Sequence, residues 1–295
     1  MIERGWLSAN MVIATGRHNT AVIDSGYCTH AEQTVNLVRA ALNEAPLDFL
    51  LSTHLHSDHC GGNSALQDVY RNLQTLIPPG HANCVADWNP VELTHTPTGQ
   101  LCPQFNHQGL LTPGKDILLG DGLWEIHAAP GHDPHSVILF EPKTRTLISA
   151  DALWENGFGV VFPELEGEGA FAAVGETLNM IKQLDPLTII PGHGRIFTYS
   201  DEVLQKSRQR LAVFVDSPTK HARHGAKVLL KFKLLEVQRQ TYGEFKTWAI
   251  STSYFELVRS KFFNDVDLSD WIDRMIIELI NTGVAKREGE AILNI

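Results

Sequence analysis

The chain of 295 residues is 43% hydrophobic, so it exceeds one average domain and can fill a sizeable core, and one large domain plus a smaller one is expected. Lys and Arg total 24 against 34 Asp and Glu, a formal net charge of -10 that opposes non-specific attraction to a polyanion, except where bound cations alter the local field. The opening MIERGWLSAN has no signal-peptide apolar run, and no stretch approaches the roughly 20 apolar residues that span a bilayer, so a cytoplasmic protein without a membrane partner is expected.

In chain order, residues 11–15 and 21–24 are short β-branched apolar runs separated by Gly16, Arg17, His18 and Asn19, which predicts a hairpin. Residues 32–42 carry Val35, Val38 and Leu42 at helical spacing, with Pro46 marking the end. Residues 49–53 form an apolar run of the kind a buried strand shows, and it delivers His54 at its C-terminal end. From about 78 to 113 the chain is rich in Pro, Asn, Thr and His, which predicts long loops around one short helix. Residues 117–119, 124–128, 137–140 and 146–150, punctuated by Gly120-Asp121-Gly122 and Pro142-Lys143, read as strands. A helix over 171–184 and a strand over 188–191 follow, the latter ending in Gly192-His193-Gly194. Two strand-rich halves carrying helices predict an α/β sandwich of sheets with helices outside.

After about Tyr199 the pattern turns helical and basic residues cluster, among them Lys206, Arg208, Arg210, Lys220, Arg223, Lys227 and Lys231. A first domain over 1–200 and a second module over 201–295 are therefore expected. Residues 268–281 read as an amphipathic helix capped by Ser269 and stopped by Gly283, followed by a terminal hairpin over 284–286 and 291–295. Helices followed by a hairpin predict a mostly helical, winged-helix-like unit. Cys28, Cys60, Cys84 and Cys102 form no C-x-x-C pair, so reduced thiols are expected, with Cys60 acting as a small buried hydrophobe beside His59.

The segment Thr53-His54-Leu55-His56-Ser57-Asp58-His59-Cys60-Gly61-Gly62-Asn63 puts three imidazoles and a carboxylate within six residues, directly after the apolar strand. Alternate side chains of extended backbone share a face, so His54 and His56 can point at one metal while a turn sends Asp58 and His59 to a neighbour. Imidazole and carboxylate suit zinc and related first-row ions. Fourteen histidines will cluster somewhere by chance, but this pattern is narrow, and three further segments share its placement beyond an apolar strand. They are Pro130-Gly131-His132, Ser149-Ala150-Asp151 and Pro191-Gly192-His193-Gly194. His30, His81, His95, His107, His127, His221 and His224 lack any flanking pattern and are read as structural or surface residues, as is His135.

With Val22-Ile23-Asp24-Ser25-Gly26 added, these blocks resemble the metallo-β-lactamase fold hydrolase superfamily over roughly residues 5 to 200. The resemblance implies a four-layer αββα sandwich with the metals at one edge of the two sheets. It implies two divalent ions, zinc foremost and iron or manganese as alternatives. His54, His56 and His132 would hold the first, Asp58, His59 and His193 the second, and Asp151 would bridge them. Asp24 resembles the family's buried aspartate that orients ligands or a loop. Such a pair can lower the pKa of a shared water and polarise the group under attack, with Asp58 as a further proton acceptor.

The superfamily runs many reactions on one metal core, so the substrate is argued from what lies outside it. His56 stands where the flavodiiron subgroup has glutamate, and Pro191-Gly192-His193-Gly194-Arg195 lacks the His-Glu-Tyr sequence that follows the corresponding histidine of glyoxalase II. The C-terminal region resembles the extension of the endoribonuclease LACTB2-like subgroup. A small ester, thioester or lactone is the expected substrate, in a pocket walled by Trp154, Phe158, Phe162 and the C-terminal module. RNA is the rival partner, with Trp248, Tyr254 and Phe255 as candidate base-stacking residues, although the spacing of Phe255, Val258 and Phe262 fits a core face better. A metal-stabilised binding protein without catalysis is the alternative from another class, and a homo-oligomer is left open.

Overall fold

The computed structural model describes residues 1–295. β1 (Val12–Thr15) and β2 (Thr20–Ile23) form the expected antiparallel hairpin, Val12 opposite Ile23. Helix α1 (Ala31–Leu42) crosses from β2 to the parallel strand β3 (Phe49–Leu51), burying Val35, Val38 and Leu42 on one face. It stops at Asn43, whose φ of 49° is left-handed and whose N–H reaches back to Ala40 and Arg39. The short helices α2 (Ser57–Cys60) and α3 (Asn63–Val69) then lead to β4 (Gln74–Ile77). One short helix, α4 (Ala82–Ala86), interrupts the loops before β5 (Gly109–Leu110) completes a five-stranded sheet in chain order.

The second sheet holds β6 (Asp116–Leu119), β7 (Gly122–Ala128), β8 (Val137–Glu141), β9 (Thr146–Ala150), β10 (Thr188–Pro191) and β11 (Phe197–Thr198), with neighbours following chain order. Every residue of β8 is buried because both faces of its sheet are covered. Leu139 faces the first sheet with Ile23, Leu51, Ile126 and Ile148. Ile138 and Phe140 point the other way, against helices α6 (Phe171–Leu184) and α7 (Asp201–Asp216) through Leu178, Ile181 and Leu204. On the far side, α1 and α3 cover the first sheet through Val38, Leu42 and Leu66. The result is the expected four layers, helix, sheet, sheet, helix.

The terminal module is built from α8 (Pro218–Val237), α9 (Tyr242–Ser251), α10 (Ser253–Phe262), α11 (Leu268–Asn281) and a sheet of β12 (Arg239–Thr241), β13 (Ala285–Glu288) and β14 (Ala291–Asn294), in the order β12-β14-β13. Its core joins Leu230, Phe245, Phe255, Trp271, Met275 and Ile292. Helix α5 (Phe162–Glu166) lends Leu165 to that core, tying the module to the sandwich. Residue 201 begins α7, which packs into the sandwich through Val203, Leu204 and Phe214, so the separate core starts with α8. The cap of α11 is Asp267 rather than Ser269: Asp267 is extended and its carboxylate accepts from the Ser269 N–H. No helix is long and apolar enough to cross a membrane.

Candidate metal centre

The seven candidate ligands converge where strands leave the sandwich. His54 and His56 follow β3, Asp58 and His59 lie on α2, His132 sits in the loop after β7, Asp151 directly follows β9, and His193 follows β10. Close approach demands glycine at two positions behind them. A Cβ on Gly192 would stand 2.2 Å from Asp151 Oδ1, and one on Gly159 would stand 2.4 Å from His132 Nδ1.

One nitrogen of several of these rings is committed to the scaffold, which leaves the other for the centre. His54 Nδ1 lies 3.1 Å from Thr53 Oγ1, His59 Nδ1 lies 2.7 Å from Asp24 Oδ2, and His132 Nδ1 lies 2.5 Å from the Val160 carbonyl. His54 Nε2 and His59 Nε2 are buried without a hydrogen-bond partner. The ligand atoms of His54, His56 and His132 lie within 4.8 Å of one another, as do those of Asp58, His59 and His193. Asp151 stands between the groups: its Oδ2 is 3.3 Å from His132 Nε2, while its Oδ1 is 3.5 Å from His59 Nε2 and 3.9 Å from His193 Nε2. Asp58 Oδ2 is 3.1 Å from His193 Nε2.

Asp24 occupies the position behind this cluster. It is buried, and its carboxylate accepts from the Thr53 N–H at 2.8 Å and the Thr53 hydroxyl at 2.9 Å as well as facing His59. Burial, followed by the neighbouring His59, His56 and His132, holds the His54 imidazole well below its ordinary range. Burial and His132 push His56 down to about 3. For His59 burial acts the same way, but Asp24, Asp151 and Asp58 around it outweigh that and raise it well above the ordinary value. Burial opposes ionisation of Asp151 and Asp58, yet His59 and His193 beside them hold both carboxyls below the usual range. His56 Nδ1 and His132 Nε2 face each other at 2.7 Å, and the latter carries a lone pair because its Nδ1 donates to Val160. The lone pair on His132 Nε2, the orphaned buried nitrogens of His54 and His59 and two ionised carboxylates are a donor set that fits divalent cations.

A cavity of about 670 Å³ opens from this cluster, with His56, Asp58, His132, Asp151 and His193 in its floor. Trp154 and Phe162 line it, together with Val228, Phe232 and Leu279 of the terminal module. Trp154 also donates from Nε1 to Asp151 Oδ1 at 3.2 Å. Phe158, expected in the same wall, is instead a core residue only 1% exposed, packed edge-on against Phe214. Trp6 went unnoticed in the sequence because nothing flanking it suggests a site, yet its ring stacks on His193 with centroids 5.2 Å apart and contributes to the cavity.

Residues 4–193 match the family model for the metallo-beta-lactamase superfamily. The chain belongs to this superfamily. As a member it is a hydrolase, and its cluster of histidines and aspartates is compatible with the divalent metals that the superfamily typically binds. The acyl-coenzyme A thioesterase MBLAC2 of Gallus gallus is 23% identical over 64% of this chain and 73% of its own length. The hydroxyacylglutathione hydrolase of Thermosynechococcus vestitus is 24% identical over 66% of this chain and 65% of its own. The beta-lactamase-like protein 2 homolog of Caenorhabditis elegans is 22% identical over 71% of this chain and 62% of its own. The matches therefore span about two thirds of these relatives. A metallo-beta-lactamase family protein of Thermus thermophilus superposes over 97% of this chain and 94% of its own, with a TM-score of 0.55 and 15% identity. The BLEG-1 B3 metallo-beta-lactamase superposes over 67% of this chain and 92% of its own, with a TM-score of 0.55 and 23% identity. The superfamily fold thus has a solved counterpart along nearly the whole chain, terminal region included.

Proposed function

We propose that the protein hydrolyses a small acyl ester or thioester using two divalent cations, zinc foremost. His54, His56 and His132 would hold one and Asp58, His59 and His193 the other, with Asp151 placed between the two groups to serve both. When bound, the cations supply a water that is nucleophilic near neutral pH and polarise the carbonyl under attack. Asp58, in the cavity floor, is placed to receive a proton from that water, and the Trp154 indole N–H orients Asp151.

The observation that carries the reading is the cavity wall. Val228, Leu229, Phe232, Leu235, Leu279 and Val284 offer an apolar surface for an acyl chain, leading away from the metal floor. On the same wall, Arg210 has no carboxylate partner. Its guanidinium donates to His224 Nε2 at 2.8 Å and lies over the Phe158 and Phe214 rings, and its Nε is buried without a partner. A buried cation left uncompensated at a cavity wall suits an anionic group on the carrier part of the substrate. The thioesterase relative agrees with this class of substrate.

The RNA alternative finds less support in the same module. Arg223 and Lys227 both pair with Glu278, Lys246 pairs with Asp273, and Arg259 pairs with Glu256. Tyr254 and Phe255 are buried, and Trp248 is covered by Lys233, so no row of aromatic faces is free to stack bases.

The test is turnover by metal-reconstituted protein on acyl thioesters of increasing chain length, esters, lactones and short RNAs. Thioester or ester turnover is expected, lost together with metal in Asp58→Ala. Arg210→Leu is expected to raise KM for a thioester with an anionic carrier and leave a neutral one unchanged. RNA cleavage with steep salt dependence would replace this reading with the nuclease, and bound metal with no turnover on any substrate would replace it with a binding protein.

A further inference from the structure

A second cluster of soft ligands lies behind the metal loop. Cys60 closes α2, directly after His59, and is fully buried. The segment between α4 and β5 folds over it and brings Cys102 Sγ to 3.8 Å from Cys60 Sγ. A ring nitrogen of His95 lies within 4.8 Å of both sulfurs. The His95 ring is 3% exposed, and its Nε2 is buried without a hydrogen-bond partner. The sequence offered no reason to link these residues, because His95 and Cys102 are far from Cys60 along the chain and lie in a stretch without periodicity.

The geometry resembles a metal site more closely than a disulfide. Two thiolates on one tetrahedral zinc, each about 2.3 Å from it, stand about 3.8 Å apart, whereas a disulfide requires about 2.05 Å. Thiolate and imidazole together select soft or borderline d10 cations. The Cys60 thiol lies 3.4 Å from the Leu55 carbonyl and 3.3 Å from that of His56, and its proton would be released on binding. Cys28 stays outside: its Sγ is on the Leu101 carbonyl, and burial pushes its thiol up to about 11.

We propose that Cys60, His95 and Cys102 form a third metal site, distinct from the hydrolytic cluster, that takes one zinc ion with water in the fourth position. Its effect is to clip a cavity wall to the metal loop. Thr94, Thr98 and Gln100 of the same segment line the cavity, and the Ser57 hydroxyl already donates to Gln100 Oε1 at 2.5 Å. The segment has no sheet to hold it at this point, so a Cys–His–Cys clip supplies the cross-link that backbone pairing does not.

Cobalt substitution tests the site, because the hydrolytic cluster contains no sulfur. The expected result is a near-ultraviolet thiolate-to-cobalt charge-transfer band, lost in Cys102→Ser and in His95→Gln, with one fewer metal per chain in each variant than in the parent. Circular dichroism of both variants checks that the fold is kept, and either folded variant suffices for the comparison. Absence of the band in the parent, or equal metal content in parent and folded variants, would overturn the proposal. So would recovery of a Cys60–Cys102 disulfide by mass spectrometry from parent protein alkylated under reducing purification.

Discussion

Asp24→Asn isolates the contribution of a residue that touches no metal. The substitution keeps size, and asparagine tolerates the left-handed backbone found there, φ 59°, so little conformational strain is added. In the parent, one carboxylate oxygen accepts from the Thr53 N–H and the other from the Thr53 hydroxyl and His59. An amide has one oxygen and one NH2. If the oxygen stays on Thr53, the NH2 faces His59 Nδ1 and favours the tautomer with its proton on Nε2, the nitrogen that points into the cluster. Zinc binding must then reverse that tautomer and leave a donor facing a donor. Disruption of such an outer partner typically weakens metal affinity 10- to 100-fold, about 1.4 to 2.8 kcal/mol. Chelator competition followed by metal analysis reads the affinity, and denaturant unfolding of the metal-free protein reads the stability. A selective loss at the metal whose ligands include His59 is expected, with a smaller change in metal-free stability. Parental affinity for both ions in a folded Asp24→Asn protein would refute the role given to Asp24.

Gly192→Ala, whose Cβ would meet Asp151 Oδ1 at 2.2 Å, is expected to lower metal content with the fold retained, and metal analysis beside circular dichroism checks it. Phe158→Ala is expected to cost about 3–5 kcal/mol in unfolding experiments because the ring is fully buried. Phe162→Ala, whose ring is half-buried against His56 at 5.1 Å, should cost less and act mainly on KM. His221 accepts from the Val161 N–H at 3.1 Å, and burial, then His224 and Arg210, push it down to about 3. A depressed folded value means that its contribution is complete above the unfolded pKa of about 6.5 and is lost as pH falls from there towards 3, by about 1.4 kcal/mol per unit. Unfolding of the parent and of His221→Gln at about pH 7 and about pH 5.5 should therefore converge in the acid by about 1.4 kcal/mol, and parallel curves would remove His221 from the account.

The parts of the structure legible in the sequence are those written locally. The hairpin of β1 and β2, helices α1 and α6, and the strands of the second sheet follow from periodicity over a few residues, and the metal loop is compressed into six. The cap of α11 was misplaced because Asp267 and Ser269 are both capping residues. Only the extended backbone of Asp267 decides between them. Phe158 and Phe162 look alike in sequence, but the first meets Phe214 of α7 and the second meets Tyr254 of α10, so their fates rest on contacts far along the chain. The same reason hid Trp6 and the partners of His95.

This division between local and distant information has a functional counterpart. Asp58 and Asp151 bring two negative charges to the cavity floor, and two dications would bring four positive ones, so the loaded floor is positive in a chain of net charge -10. An anionic substrate is therefore drawn to this cavity while most of the remaining surface repels it, and Arg210 extends the favourable field along the wall. The cations and their ligands would accept any carbonyl or phosphoryl oxygen, since they recognise the reacting group alone. On the proposed reading, choice among substrates falls to Val228, Phe232, Leu279 and Arg210. Val228 and Leu279 belong to the terminal module's own core and Phe232 packs on Tyr27 and Leu7, none of them a candidate metal ligand, so a changed side chain there alters the wall rather than the floor. Exchanging Phe232 for a smaller apolar residue should consequently shift the preferred acyl length while metal content stays constant, and a simultaneous loss of metal would show that wall and floor are not separable.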